Sequence, residues 1–348
     1  MRATPIRIAT PKKRTPSLPD GPPAGAADGL VVADKPQGWT SHQVVARCRR
    51  LLGTRKVGHA GTLDPMATGV LLVGFGRATR LLGHLAGHDK TYAATIRLGQ
   101  STVTDDAEGE VTAASGAAVV TEEQVRTAVA GFVGRISQVP SAVSAIKVAG
   151  KRAYALVRAG EDVQLAAREV TVSRFDVLEV RPSVSTKWSV SHQDGADPST
   201  LIGEAVDGIG VGPNDEVDVL DVDVIVDCSS GTYIRALARD LGHLLGCGGH
   251  LTALRRTRVG DFGLDLVGLT GEQLAEGGAP QVIDLAEVAR RAFPVVEVTP
   301  EQAVDIGFGR SLKLSVPADP TALLHEGRLL ALYRPNADGG AQPVAVLA

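Results

Sequence analysis

Asp64 is the one acidic residue between Lys35 and Arg80, a segment that also holds eight Lys or Arg (35, 47, 49, 50, 55, 56, 77 and 80) for a local charge of +7. It stands in the run Gly58-His59-Ala60-Gly61-Thr62-Leu63-Asp64-Pro65-Met66-Ala67-Thr68-Gly69, ahead of the apolar Val70-Leu71-Leu72-Val73. Flanking glycines let backbone approach a ligand closely, and Pro65 stiffens the turn just after the acid. A carboxylate set alone in a basic field sits close to whatever polyanion the field attracts. The chemistry available to it there is nucleophilic or general-base attack on a nucleic acid. The bland alternative is an idle aspartate that caps a turn with Thr62.

Other side chains gain meaning beside it. Arg235 follows the tight Gly231-Thr232 turn and Tyr233, and its guanidinium can pair with a carboxylate bidentately; otherwise it is a surface arginine on a helix. Tyr92 lies two residues after Lys90 in a chain that is only 3% aromatic, and a phenol ring stacks on any base face for about 1–3 kcal/mol. A core tyrosine is the competing reading, and for Tyr233 the two readings are even.

These residues need a scaffold. Leu30–Ala33 reads as a strand, and Ser41 as the N-cap of a basic helix through Leu52. A buried strand at 70–75, a helix at 78–86 and a strand over Tyr92–Leu98 follow. Thr121-Glu122-Glu123-Gln124 fits a capping box before a helix to about Phe132. Strands are expected at 168–180 and 217–228 and helices at 234–245, 281–291 and from Pro300 to Gly307. Two last strands fall near 322–334 and 343–347. Strands and helices mix without regular βαβ spacing, which indicates an α+β fold rather than a doubly wound one.

A net charge of −3 over 348 residues does not advertise a nucleic-acid binder, but binding follows the local patch rather than the sum. A hydrophobic share of 44% is ample for a core, and no apolar run approaches the roughly 20 residues of a membrane span. Cys48, Cys228 and Cys247 are dispersed, so neither a disulfide framework nor a zinc site is indicated, and reduced thiols fit a cytoplasmic protein. No metal-ligand cluster or nucleotide-cradling loop is present, and no cofactor is expected. Residues 1–28, with six prolines and five Lys or Arg, read as a disordered basic tail.

The Asp64 run resembles the motif around the catalytic aspartate of the TruB-type tRNA pseudouridine synthases. Val32-Ala33-Asp34-Lys35-Pro36-Gln37-Gly38, Lys90-Thr91-Tyr92, Gly231-Thr232-Tyr233-Ile234-Arg235 and Cys247-Gly248-Gly249-His250, leading into Leu254-Arg255-Arg256, resemble further motifs of that family in the same order. The resemblance implies the pseudouridine synthase fold: a mixed, mostly antiparallel central sheet with flanking helices. It implies a catalytic domain over 29–290 and a small PUA-like RNA-binding β unit over 293–348. It makes Asp64 the catalytic group, by nucleophilic attack or by removal of a 2′ proton, and Arg235 its ion partner. Tyr92 would lie under the flipped uracil and is a candidate for the later C5 deprotonation, with Tyr233 beside the site and Leu254 an apolar pocket wall. His59 would be the wedge that fills the space left by an everted base, presented with Asp64 on one loop. Lys35 would reach a phosphate or support the catalytic loop. Asp106 would join the substrate-side network, although Val103 stands where the family has an acid. Residues 139–154 resemble a movable thumb in which Lys147, Lys151 and Arg152 could clamp phosphates. Residues 183–215 interrupt an expected hairpin and read as an insertion. The implied partner is the TΨC stem-loop of tRNA, bound by a monomer without guide RNA or membrane. An RNA-folding chaperone, or a dyskerin-type relative that depends on guide RNA, is the alternative.

Overall fold

The computed structural model describes residues 28–141, 147–148, 151–152, 165–185 and 216–348. The basic tail, most of the thumb-like segment and most of the insertion therefore lie outside the described residues. Lys90–Leu98 is buried along nearly its whole length, because Ala93, Ala94, Ile96 and Leu98 cover both of its faces with apolar side chains. A strand buried on both faces belongs in the middle of a sheet. It is flanked antiparallel by Gly249–Val259 on one side and Val217–Cys228 on the other. Outward from the first come Thr68–Phe75 and Gly29–Lys35; outward from the second come Arg168–Ser185 and Gly134–Gln138. Two short strands, Val57–Ala60 and Phe262–Gly263, complete nine. One pair, Thr68–Phe75 with Gly249–Val259, is parallel and the rest are antiparallel, so the sheet is mixed and the fold α+β.

That parallel junction depends on one glycine. Gly69 has φ +100, and a Cβ there would stand 2.1 Å from the Arg256 carbonyl oxygen, opposite which it pairs. No side chain fits. The close approach brings the loop that carries Asp64 over the centre of the sheet.

The helices form where the caps allow. Ser41–Leu51 is capped by Thr40, whose hydroxyl accepts from the Gln43 N–H in a reciprocal capping box, and not by Ser41 as the sequence suggested. Ser41 is buried and bonds elsewhere. The expected 121–132 helix is found as Glu122–Ala130 with its Thr121–Gln124 box. The expected 78–86 helix divides into a 3-10 turn, Gly76–Arg80, and Leu82–Ala86. The helix expected at 281–291 starts later, at Leu285–Ala292, because Ile283 bridges Leu30 at the sheet edge and Asp284 caps. Arg168–Ser185 and Val217–Cys228 pair as a hairpin up to Ser185 opposite Val217, with residues 186–216 as their connection.

Beyond Val295 a four-stranded sheet forms from Val295–Glu297, Thr321–His325, Arg328–Pro335 and Ala341–Val346, beside the helix Pro300–Gly307. It is not a detached module. Leu324, Leu329, Leu332 and Leu347 share one core with Leu30, Phe262, Ile283 and Ala289, and the Arg77 guanidinium donates to the Leu347 carbonyl at 2.7 Å.

Gly69→Ala must strain φ and push the Arg256 carbonyl away. The expected loss is about 2–3 kcal/mol, read as a lower denaturant midpoint with an unchanged slope.

Candidate active site

Asp64 owes its position to side chains that grip the backbone on either side of it. The Ser41 hydroxyl receives the Leu63 N–H at 2.9 Å and lies 3.1 Å from the Leu63 carbonyl. The Lys35 ammonium donates to the carbonyls of Pro36, Trp39 and Pro65 at 3.0, 2.5 and 3.1 Å. Arg256 donates to the carbonyls of Val70, Gly61 and Thr62 at 2.8, 2.9 and 3.4 Å. Leu63, Met66 and Ala67 are buried in the core, so the loop is anchored through its apolar residues and presents its acid. The Asp64 side chain is 40% exposed.

Arg235 approaches from the helix Ile234–Leu244, which begins after Tyr233. Its side chain is only 6% exposed, and it stands 3.1 Å from the Asp64 carboxylate and 3.3 Å from that of Asp106. It also donates to the Thr104 carbonyl at 2.9 Å. Gln138, from the edge strand, accepts the Tyr233 N–H at 2.8 Å and donates to the Tyr233 carbonyl at 3.0 Å, which fixes the start of the helix.

A cavity of about 360 Å³ opens between the loop and the helix. That volume lies at the small end of ligand clefts, roughly 300–1,000 Å³. Asp64, Tyr92, Tyr233, Arg235 and Leu254, five of the sequence-predicted residues, all line it. Tyr92 is 7% exposed and burial pushes its phenol above the usual range, with the neighbouring Arg256 acting the other way. Burial likewise raises the Tyr233 phenol.

The other candidates stand elsewhere. Lys35 is fully buried, and its ammonium donates to three backbone carbonyls around the Asp64 loop. Burial draws it down to about 8. Asp106 is buried too, held on Arg235 and accepting from the Thr104 hydroxyl at 2.5 Å and the Glu108 N–H at 3.0 Å, and it does not line the cavity. His59 belongs to the strand Val57–Ala60 and not to the loop of Asp64, and it does not line the cavity. Its ring meets His42 edge-on at 5.6 Å, and its Nδ1 is buried without a hydrogen-bond partner. Lys147 lies in a two-residue strand paired with Lys151–Arg152, apart from the main sheet.

The basic segment also works differently from the expectation. Lys35, Arg47, Arg49, Arg77 and Arg80 all donate to backbone carbonyls, so a large part of the +7 stitches the fold together. The cations that do line the cavity include Arg256 and Lys90, both buried. Sequence reasoning gave neither a role. Their signal was present, an Arg and a Lys inside two of the quoted motifs, but a buried cation on a strand looks like any surface one in sequence.

Solved structures share this architecture. The chain is similar to a chain in a crystal structure of a Cbf5–Nop10–Gar1 complex, with a TM-score of 0.64 at 22% identity over 97% of this chain and 91% of that one. It is also similar to one in an H/ACA RNP bound to a substrate RNA containing 2′-deoxyuridine, with a TM-score of 0.60 at 23% identity, covering 92% and 85%. At such identities the likeness defines the fold class. Sequence identifies the family within it. Residues 49–196 match the N-terminal domain of TruB family pseudouridylate synthases, and residues 235–279 match the tRNA pseudouridylate synthase B C-terminal domain. The tRNA pseudouridine synthase B of an Arthrobacter species is 54% identical over 92% of this chain and 96% of its own length, and that of Cutibacterium acnes 53% over 92% and 98%. The chain belongs to the TruB family of pseudouridylate synthases.

Lys35→Met leaves three carbonyls without their donor. It is expected to cost about 3 kcal/mol of stability, while the salt dependence of tRNA binding keeps its slope because the ammonium's three protons are already given to carbonyls. His59 is held below its ordinary 6.5, first by burial and then by His42 and Arg256. The unfolded chain therefore binds that proton more readily. Stability is complete above 6.5 and is lost as pH falls from there towards the folded value. His59→Gln is expected to flatten part of that decline between pH 7 and 5 in thermal melts.

Proposed function

We propose that this chain isomerises uridine 55 in the TΨC arm of tRNA to pseudouridine, with Asp64 as the group that acts on the nucleotide. The reaction breaks the N1–C1′ bond, turns the base and joins C5 to C1′, so it is redox-neutral and needs no energy donor. The observation that carries the reading is the Asp64–Arg235 pair at 3.1 Å on the wall of a cavity that Tyr92 and Tyr233 also line. Such a cavity suits a planar ring taken out of its stack, which costs a few kcal/mol to evert. Leu254 and Tyr92 would hold the two faces of that ring, and Arg235 would orient the carboxylate. Asp64 attacks as a nucleophile or removes the 2′ proton; both routes use the same placement.

Affinity would come from backbone and shape contacts with the folded arm. His59, the thumb-like segment with Lys147, and the unit from residue 293 onward, which we read as a compact PUA-like domain, would supply them. The relatives at 53–54% identity, named tRNA pseudouridine synthase B, support tRNA as the substrate, and we read the chain as a cytoplasmic protein that recognises it without guide RNA.

Asp64→Asn is expected to abolish pseudouridine formation in a purified assay on an unmodified transcript, with tRNA affinity within about threefold of wild type. A transcript carrying cytidine at position 55 should yield no product. Turnover by Asp64→Asn close to wild type removes Asp64 from the mechanism. Activity that appears only after another RNA or protein is added removes the stand-alone reading.

A further inference from the structure

We infer that Arg239 is a positioning residue for the Asp64 carboxylate, acting through the turn that carries Asp105 and Asp106. The inference rests on the reading of Asp64 as the reacting group.

Arg235 and Arg239 stand four residues apart on Ile234–Leu244 and so project from one face of the helix. They take consecutive carboxylates of a single turn. Arg235 holds Asp106 at 3.3 Å and the Thr104 carbonyl at 2.9 Å, while Arg239 holds the intervening Asp105 at 3.3 Å. Asp105 adopts φ 58, a left-handed conformation that the described residues show at only one other non-glycine position, Glu326. This kink points the Asp105 side chain to one arginine and leaves the groups before and after it on the other. A left-handed non-glycine residue persists where its surroundings over-determine it, and here Arg239 is the charged partner that does so. The Asp105 backbone is fastened as well, since its carbonyl accepts the Leu251 N–H at 3.0 Å.

Arg239 has a second anchor. Its guanidinium donates to the Val139 carbonyl at 2.8 Å, next to Gln138, which grips both polar groups of Tyr233. Its Nε donates to Asp240 at 2.9 Å. With its side chain 19% exposed, Arg239 joins the helix to the end of the edge strand and to the Asp105 turn, yet it does not line the cavity. A residue so placed acts on the rate and not on substrate affinity. Without it the turn is released, Arg235 loses the fixed position of its rear carboxylate, and the front contact to Asp64 loosens.

The test is a double-mutant cycle on kcat and KM for a tRNA transcript, with folding followed by circular dichroism. Arg239→Met is expected to lower kcat about 10- to 100-fold at unchanged KM, the size of effect that misplacing a reacting group by about an ångström produces. Asp105→Asn should lower kcat in the same sense, and the double variant should be no slower than Arg239→Met. Arg239→Lys, which keeps the charge, should recover most of the rate. A kcat within about twofold of wild type, a loss that falls on KM, or multiplicative effects in the double variant would overturn the inference. Should Arg239→Met fail to fold, Asp105→Asn decides by the same kcat against KM split. Failure of the underlying reading looks different, because it leaves Asp64→Asn active; failure here leaves Asp64→Asn dead and Arg239→Met fast.

Discussion

A guanidinium buried between two carboxylates governs this molecule. Arg235 is nearly sealed from water, and a charge in that position is tolerated only if paired and hydrogen-bonded. Breaking such an arrangement by removing one member typically costs about 3–5 kcal/mol. Asp106 behind and Asp64 in front satisfy it, but unequally. Asp106 is itself buried, and among the described residues its ion-pair partner is Arg235, whereas Asp64 is partly open to the cavity. The ion pair thus has a fixed rear half and a free front half. Orientation comes from the first, and the second stays available to a ligand.

Geometry of that kind requires the two segments to meet within a few tenths of an ångström, and neither is rigid alone. The loop of Asp64 has no regular structure between Ala60 and Thr68, so its rigidity comes from cations and hydroxyls on neighbouring elements. Lys35, Ser41 and Arg256 act on backbone atoms, and the buried Leu63, Met66 and Ala67 side chains add the apolar half of the anchorage. Two different strands and a helix contribute. The sheet order explains why this is possible: the parallel contact at Gly69 with Arg256 draws the first strands and the last strand of the catalytic sheet together beneath the loop.

Much of this was legible in the sequence. An apolar run marked the strand at 70–75, alternation the strand at 92–98, a capping box the helix expected to about Phe132, and Pro300 the helix to Gly307, because those signals are local. The five cavity residues were legible through separated motifs, each bearing a residue type suited to chemistry. Errors arose where tertiary context overrides local pattern. Ser41 has the right type for a cap but is pulled inward to the catalytic loop, and Thr40 takes the role. The residues 281–283 are drawn into a bridge with Leu30 instead of helix. The basic segment was read as a field for polyanions, yet charge counting cannot distinguish an exposed arginine from one whose hydrogen bonds go to carbonyls across the fold.

The two tyrosines show how burial narrows the chemistry under the proposed reading. A phenol near 7% exposure, pushed above its usual range, is overwhelmingly protonated at neutral pH. It can donate a hydrogen bond and present a ring face, but as a phenolate base it is a poor choice in the resting site. Arg256 beside it pulls the other way, so the balance is open to change when a base fills the cavity and displaces water. Stacking is then the role Tyr92 can fill at every stage, since it depends on the ring alone. Removal of the C5 proton requires an acceptor that already exists in its basic form. Among the groups that line the cavity, Asp64 is the sole carboxylate, and it is already committed to the earlier step. One side chain serving two successive steps demands that it be held in place without being consumed as a structural partner. An ion pair with a fixed rear half and a free front half meets that demand.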